Sequence, residues 1–239
     1  MFDEQQQSYV IQEGGGVASY TAKVFLWMFI GLLVTAVAAY GLATSGLGLL
    51  FYTNSIVLIA SVIIEFALVF YITGAISRDM SPGRAKLAFI IYSIVNGLTL
   101  AGIFYIYDSM IITKAFVTTS LTFGVMALYG YTTKKDLTGV GKVLMMLLVG
   151  IIIATLVNFV FGLFGAFNST LDLAISYIAV VVFAGLTAWD TQKIKAVYYQ
   201  AQGNDSLLER IAIVGALELY LDFINLFLYI LRIFARNRD

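Results

Sequence analysis

Residues 143–164 read VLMMLLVGIIIATLVNFVFGLF, twenty-two consecutive positions without an acid or a base and with a single amide, Asn158. A helix needs about 20 apolar residues to cross the hydrocarbon core of a bilayer. A membrane strand would instead alternate apolar and polar residues over about ten positions. This stretch is apolar all round, so it predicts a membrane-spanning helix. Working outward, comparable windows cover 22–43, 55–75, 87–107, 115–131, 173–189 and 211–234. With 143–164 they predict an all-α membrane protein of about seven transmembrane helices.

The whole chain agrees with its parts. It has 239 residues, of which 61% are hydrophobic and 12% charged. A soluble domain is about half apolar and about a quarter charged. Residues 1–20, MFDEQQQSYVIQEGGGVASY, lack a basic start and a cleavage pattern, and are expected to be a flexible cytoplasmic tail. Residues 21–239 are expected to form one seven-helix transmembrane domain.

Cations set the orientation. The second, fourth and sixth connections carry Arg78, Arg84, Lys86, Lys134, Lys135, Lys142, Lys193, Lys195 and Arg210, whereas the first, third and fifth carry only Lys114. Under the positive-inside rule the N-terminus and the even connections are cytoplasmic. Seven crossings then put the C-terminal RIFARNRD outside, against its own arginines; the alternative is a late re-entrant segment.

The chain contains no histidine and no cysteine, which excludes disulfides, thiolate nucleophiles and the commonest general base and zinc ligands. A net charge of zero without a basic patch gives no support for nucleic-acid binding. Chemistry is left to carboxylates, amides, hydroxyls and cations. Ionisable groups inside spans cost at least a few kcal/mol each, so those present need a partner, a wet cavity or a function. They are Glu65, Asp190, Glu218 and Asp222. Glu218, Asp222 and Asn225 are four and three residues apart and share a helical face with Gly215 and Tyr229. An acidic seam cannot face lipid, so the seventh helix is expected to pack inward.

Asp190 closes the sixth span in TAWDTQKIK. By spacing alone it is either a helix-end acid at headgroup level or a partner of Asp222. Two carboxylates close together in a poorly solvated place cannot both ionise cheaply and titrate as a unit. Glu65 reads equally as a neutral acid bonded to a neighbouring helix and as a residue of a pathway. Asn96 and Asn158 read as bridges between helices.

Several stretches together resemble the transmembrane Bax inhibitor motif family in its bacterial branch. They are NGLTLAGIF from Asn96, TFGVMALYGYTTKKDL followed by GVGKVL, AWDTQKI, and LELYLDFINLFLYILRIF. The resemblance implies seven helices with the C-terminal helix central in the bundle, and a pH-sensitive calcium leak of the bacterial inner membrane. It implies that Asp190 and Asp222 form the proton-sensing dyad and are the carboxylates through which calcium is held. It also implies a latch arginine near the end of the second span, for which Arg78 is the nearest candidate and Arg84 the alternative. Glu218, Asn225 and Glu65 are then candidate pore or supporting polar residues. No cofactor is implied; calcium is cargo, and protons and the lipid bilayer are the other partners.

Two other function classes compete. An interaction protein that modulates a membrane protease or channel is also compatible with the resemblance. An intramembrane aspartyl protease would use two aspartates on neighbouring spans, but its GxGD setting is absent around both. The expectation is therefore that the chain is not an enzyme.

Overall fold

The computed structural model describes residues 2–201 and 203–236. Those residues are helical with short connections, in the order α1 (Phe2–Thr44), α2 (Gly48–Thr53), α3 (Ser55–Thr73), α4 (Pro82–Leu100), α5 (Ile103–Ile106), α6 (Ser109–Thr132), α7 (Thr138–Leu163), α8 (Ser169–Gln200) and α9 (Asp205–Arg236). Among the described residues seven segments are long and apolar enough to cross a membrane: Gly16–Thr44, Ser55–Thr73, Pro82–Ile106, Ser109–Thr132, Thr138–Leu163, Ser169–Gln200 and Asp205–Arg236. All seven expected spans are present. Of the tail expected over 1–20, Met1 lies outside the described residues and the backbone of 2–20 begins α1. Residues 237–239 of RIFARNRD also lie outside them.

Local chemistry sets the helix ends. The single proline, Pro82, opens α4, where its missing N–H is not needed by the helix. Asn54 caps α3 by accepting from the N–H groups of Ile56 and Val57, and Asp108 caps α6 by accepting from Met110. Gly46, beyond α1, and Gly203, between α8 and α9, have φ of 73° and 87°, a conformation open to glycine and strained for other residues.

The outer surfaces are apolar, as a lipid solvent requires. Ile56, Phe70, Leu121, Met146, Phe164 and Val181 are all largely exposed. Enclosure differs sharply between spans. In α9, 72% of the most apolar window is buried, against 11% in α3. The inward packing expected of the seventh span is therefore found.

Contacts divide the chain into two compact units, Met1–Ile106 with Lys193–Tyr220, and Tyr107–Gln192 with Leu221–Asp239. In the first, α4 approaches α1 closely at Gly97, where a Cβ would stand 2.5 Å from the Thr35 carbonyl oxygen and 2.8 Å from the Ala38 Cβ. The short helices α2 and α5 meet through Tyr52 and Tyr105, and the Tyr52 hydroxyl donates toward the Leu98 and Thr99 carbonyls. In the second unit, Gly130 of α6 lies against the Ala188 backbone of α8, and Gly185 of α8 receives the Leu144 side chain of α7. Small residues here serve close helix approach, as is usual in membranes.

Candidate functional site

In the second unit, each residue of the AWDTQ stretch on α8 has a distinct task. Ala188 presents its backbone to Gly130, and the Trp189 indole covers Gly141 at the start of α7. Thr187 and Thr191, both fully buried, turn their hydroxyls back to the carbonyls of Phe183 and Thr187, 2.8 and 2.7 Å away. Those donors are thus satisfied within the helix. Gln192 donates from Nε2 to the Lys135 carbonyl and accepts at Oε1 from the Leu137 N–H, both at 2.8 Å. Asp190 sits inside this tightly packed turn and is 8% exposed.

The C-terminal half of α9 supplies the second aspartate, Asp222, which is 5% exposed. Beside it, Phe223 packs edge-on against Phe116 and Phe123 of α6, and Phe227 also meets Phe116. Asn225 donates to the Leu221 carbonyl of its own helix at 2.8 Å. Further along, Tyr229 stacks on Phe183 with ring centroids 6.0 Å apart, and its ring carries the Arg232 guanidinium at 5.2 Å. Arg232 donates to Asp172 near the start of α8 at 3.0 Å, and Arg236 bonds the Ser169 carbonyl.

These contacts set the relative direction of α8 and α9. Residue numbers rise along α8 from Asp172 to Phe183 while their partners on α9 fall from Arg232 to Tyr229, so the helices are antiparallel. Asp190 lies seven residues beyond Phe183, and Asp222 lies seven residues before Tyr229. Both offsets are about two turns, roughly 10 Å, in the same direction and return to the same helical face. Counted from the Phe183–Tyr229 stack, the two buried aspartates each lie about two turns further along in the same direction on antiparallel helices of one unit.

The remaining candidates lie in the first unit. Glu65 of α3 accepts from Thr99 at 2.6 Å and from the Asn96 amide at 3.2 Å, both on α4. Glu218 of α9 is ion-paired with Lys193 at 2.7 Å. Glu209 takes Lys23 of α1 at 2.8 Å and Lys86 of α4 at 2.5 Å, one on each carboxylate oxygen. Arg78 and Arg84, on the α3–α4 connection and the first turn of α4, are exposed and make no ion pair among the described residues. The buried arginine at this connection is Arg210 of α9, bonded to Asp79 and to the Met80 carbonyl. Asn96 bridges helices as expected, whereas Asn158 clamps the α7–α8 connection by exchanging two hydrogen bonds with Asn168.

Lys193, Gln192, Tyr220 and Arg210 did not stand out in the sequence as partners. Gln192 and Tyr220 lie inside the two most specific stretches, AWDTQKI and LELYLDF, and that position was the available signal. Among the described residues no group of three or more acidic side chains is assembled that could hold a metal ion.

A family model described as "Inhibitor of apoptosis-promoting Bax1" matches residues 17–239. The chain is 45% identical over 231 residues to the inner membrane protein YbhL of Escherichia coli K12, covering 96% of each. It is 43% identical to an uncharacterized protein of Borreliella burgdorferi, covering 92% of this chain and 93% of that one. An uncharacterized membrane protein of Streptococcus pyogenes serotype M6 is 34% identical, covering 95% of this chain and 96% of the other.

Proposed function

Because the chain belongs to the Bax inhibitor family, we propose that it is a passive calcium leak whose opening follows the protonation of Asp190 and Asp222. The observation that supports this reading is the pair of buried carboxylates on antiparallel helices α8 and α9, each seven residues from the stacked Phe183–Tyr229 pair. Each charge deep in a membrane protein is expensive, and two together titrate as a unit. Adding a proton removes charge from the packed turn and shifts the balance between closed and open helix arrangements.

Calcium suits the donors. It is a hard cation that takes about six to eight oxygen ligands, and the chain offers oxygens and amides but neither histidine nor thiolate. Two carboxylates supply only part of such a shell, with water completing it, which favours transit over retention. Arg78, or Arg84 in its stead, is proposed as the closing cation on sequence grounds; both are exposed. Glu218, Asn225 and Glu65 are proposed as supporting polar groups. Since the Escherichia coli relative is named an inner membrane protein, we place this multi-pass chain in the same membrane, with a cytoplasmic N-terminus following the cation count.

The test is calcium entry into liposomes containing the purified protein, followed from about pH 6 to about pH 8. Flux should depend on pH in the native chain and lose that dependence in Asp222→Asn. No flux at any pH would reject the leak and favour a role as a modulator of another membrane protein.

A further inference from the structure

A chain of polar side chains in the first unit joins four helices. Glu65 of α3 meets the Asn96 amide of α4 at 3.2 Å, and Asn96 meets the Tyr220 hydroxyl of α9 at 2.8 Å. Tyr220 meets the Thr35 hydroxyl of α1 at 2.6 Å, and Thr35 meets the Ser93 carbonyl at 2.9 Å. Asn96, Tyr220, Thr35 and Ser93 are all buried, so their polar groups depend on these protein partners.

Counting protons along the chain distinguishes two states. With Glu65 ionised, the Asn96 N–H points to the carboxylate and the amide oxygen must accept from Tyr220. Three contacts then remain beyond the amide: Tyr220 with Asn96, Tyr220 with Thr35, and Thr35 with Ser93. Only two hydroxyl protons are available, one from Tyr220 and one from Thr35. One contact must therefore go without a proton, either the close 2.6 Å oxygen pair or the Ser93 carbonyl. With Glu65 protonated, half a turn of the Asn96 amide exchanges its oxygen and nitrogen in place. The acid then donates to Asn96, Asn96 to Tyr220, Tyr220 to Thr35 and Thr35 to Ser93. Thr99 still donates to the other oxygen of Glu65, and every contact holds one proton.

We propose that Glu65 is a proton-binding site separate from Asp190 and Asp222, and that loading it reverses the hydrogen-bond chain from Glu65 through Asn96 and Tyr220 to Thr35. The step is balanced: one proton enters on Glu65, the amide rotates, and the Tyr220 and Thr35 hydroxyls reorient without losing their protons. Among the described residues no counter-charge is paired with this carboxyl. The titratable groups around it are tyrosines, Tyr92 on α4 and Tyr220 on α9, with Tyr52 of α2 beside Thr99. Arg84 and Lys86 lie near the opposite, N-terminal end of α4. Lys23 and Lys86 are taken by Glu209, and Lys193 pairs with Glu218. Glu65 is the one charged residue of α3 itself.

The consequence is a direct proton signal from α3, the least enclosed span, to α9, the most enclosed. It requires no participation of the aspartates, so it stands or falls apart from the leak.

Difference infrared spectroscopy on the full chain in a lipid film, between acidic and alkaline buffer, tests it. A protonated-carboxyl stretching band is expected that disappears in Glu65→Gln and persists when Asp190→Asn and Asp222→Asn are combined. Tyr220→Phe should shift its frequency, because the chain beyond Asn96 is cut. Glu65→Gln preserves shape and offers an N–H to Asn96 in place of the acid O–H, so it should fold and should remove pH dependence of thermal stability arising from this carboxyl. A spectrum unchanged by Glu65→Gln overturns the site, and a Glu65 band unmoved by Tyr220→Phe overturns the chain.

Discussion

Gln192 holds Leu137 and Lys135 at both poles of one side-chain amide, accepting from the Leu137 N–H and donating to the Lys135 carbonyl, each at 2.8 Å. The α6–α7 connection is thereby tied to the helix that carries Asp190. Leu137 is buried, so Gln192→Ala leaves its N–H without its protein partner; the cost of such a loss is about 1–3 kcal/mol. The expected readout is a lower thermal midpoint in detergent with faster proteolysis in the TTKKD connection. Gln192→Glu keeps the acceptor but cannot donate, and should fall between native and alanine. Native-like melting of Gln192→Ala would show that the clasp contributes nothing.

Four glycines in α6 and α7 are of two kinds, and substitution should separate them. A Cβ on Gly130 would collide with the Ala188 backbone, and one on Gly141 with the Trp189 ring. Gly124 and Gly150, on the same two helices, have nothing within 4 Å of that position. Gly130→Ala should destabilise by about 1–3 kcal/mol, because backbone must move and overpacking costs that much. Gly124→Ala should be neutral or stabilising by up to about 1 kcal/mol through helix propensity. Chemical denaturation of matched variants in mixed micelles makes the comparison. Equal effects at the two positions would contradict the observed packing of α6 on α8.

Why the sequence disclosed some of this and withheld the rest follows from what each signal measures. Seven spans were legible because apolar runs such as 143–164 have no charge to interrupt them. Their ends were not, because hydropathy marks the hydrocarbon layer and not the last helical residue: α8 continues from Trp189 through polar residues to Gln200. Helices α2 and α5, of six and four residues, are too short to show a period. Asp190 and Asp222 were conspicuous as charges in a nearly chargeless environment. Tyr220 was not, since one hydroxyl among 15 tyrosines looks like an interface belt until Asn96 and Thr35 are seen beside it. Arg210 entered only the cation count, because burial of a loop-proximal arginine has no periodic signature.

Asp136 offers a pH-dependent contact outside the spans. Hydrogen bonds from Thr138, through its side chain and its N–H, hold the fully exposed Asp136 carboxyl below its ordinary value. A carboxyl lowered by folding contributes stability that is present above its unfolded value, about 4, and lost as pH falls through the folded one. Hydrogen exchange at the Thr138 amide should therefore be slow at neutral pH and lose protection only below about pH 4. Asp136→Ala should remove that protection at every pH. Protection that survives below the acidic transition would exclude the carboxylate as its source.

Among the described residues, Arg210 and Asp79 form the least symmetric ion pair: the arginine side chain is 7% exposed and the aspartate 89%. Asp79 also has a φ of 48°, one of the few left-handed positions open to a non-glycine residue with a short polar side chain. Its backbone conformation aims the carboxylate back at a guanidinium on α9, and the Met80 carbonyl accepts from the same nitrogen. The two ends of this pair should respond differently to mutation. Asp79→Asn tolerates the backbone and keeps an acceptor but leaves the buried guanidinium without its counter-charge, so it should cost more than the roughly 1 kcal/mol of an exposed pair. Asp79→Leu puts a bulky side chain in a left-handed conformation and strips the acceptor, adding about 1–3 kcal/mol of backbone strain. Arg210→Met keeps the buried stem without the charge and leaves behind only the exposed Asp79, which water can solvate, so its cost should be smaller than that of Asp79→Leu. Thermal midpoints of the three variants in one detergent decide the order. Asp79→Leu melting above Arg210→Met would mean that neither the left-handed backbone nor the buried charge governs this connection.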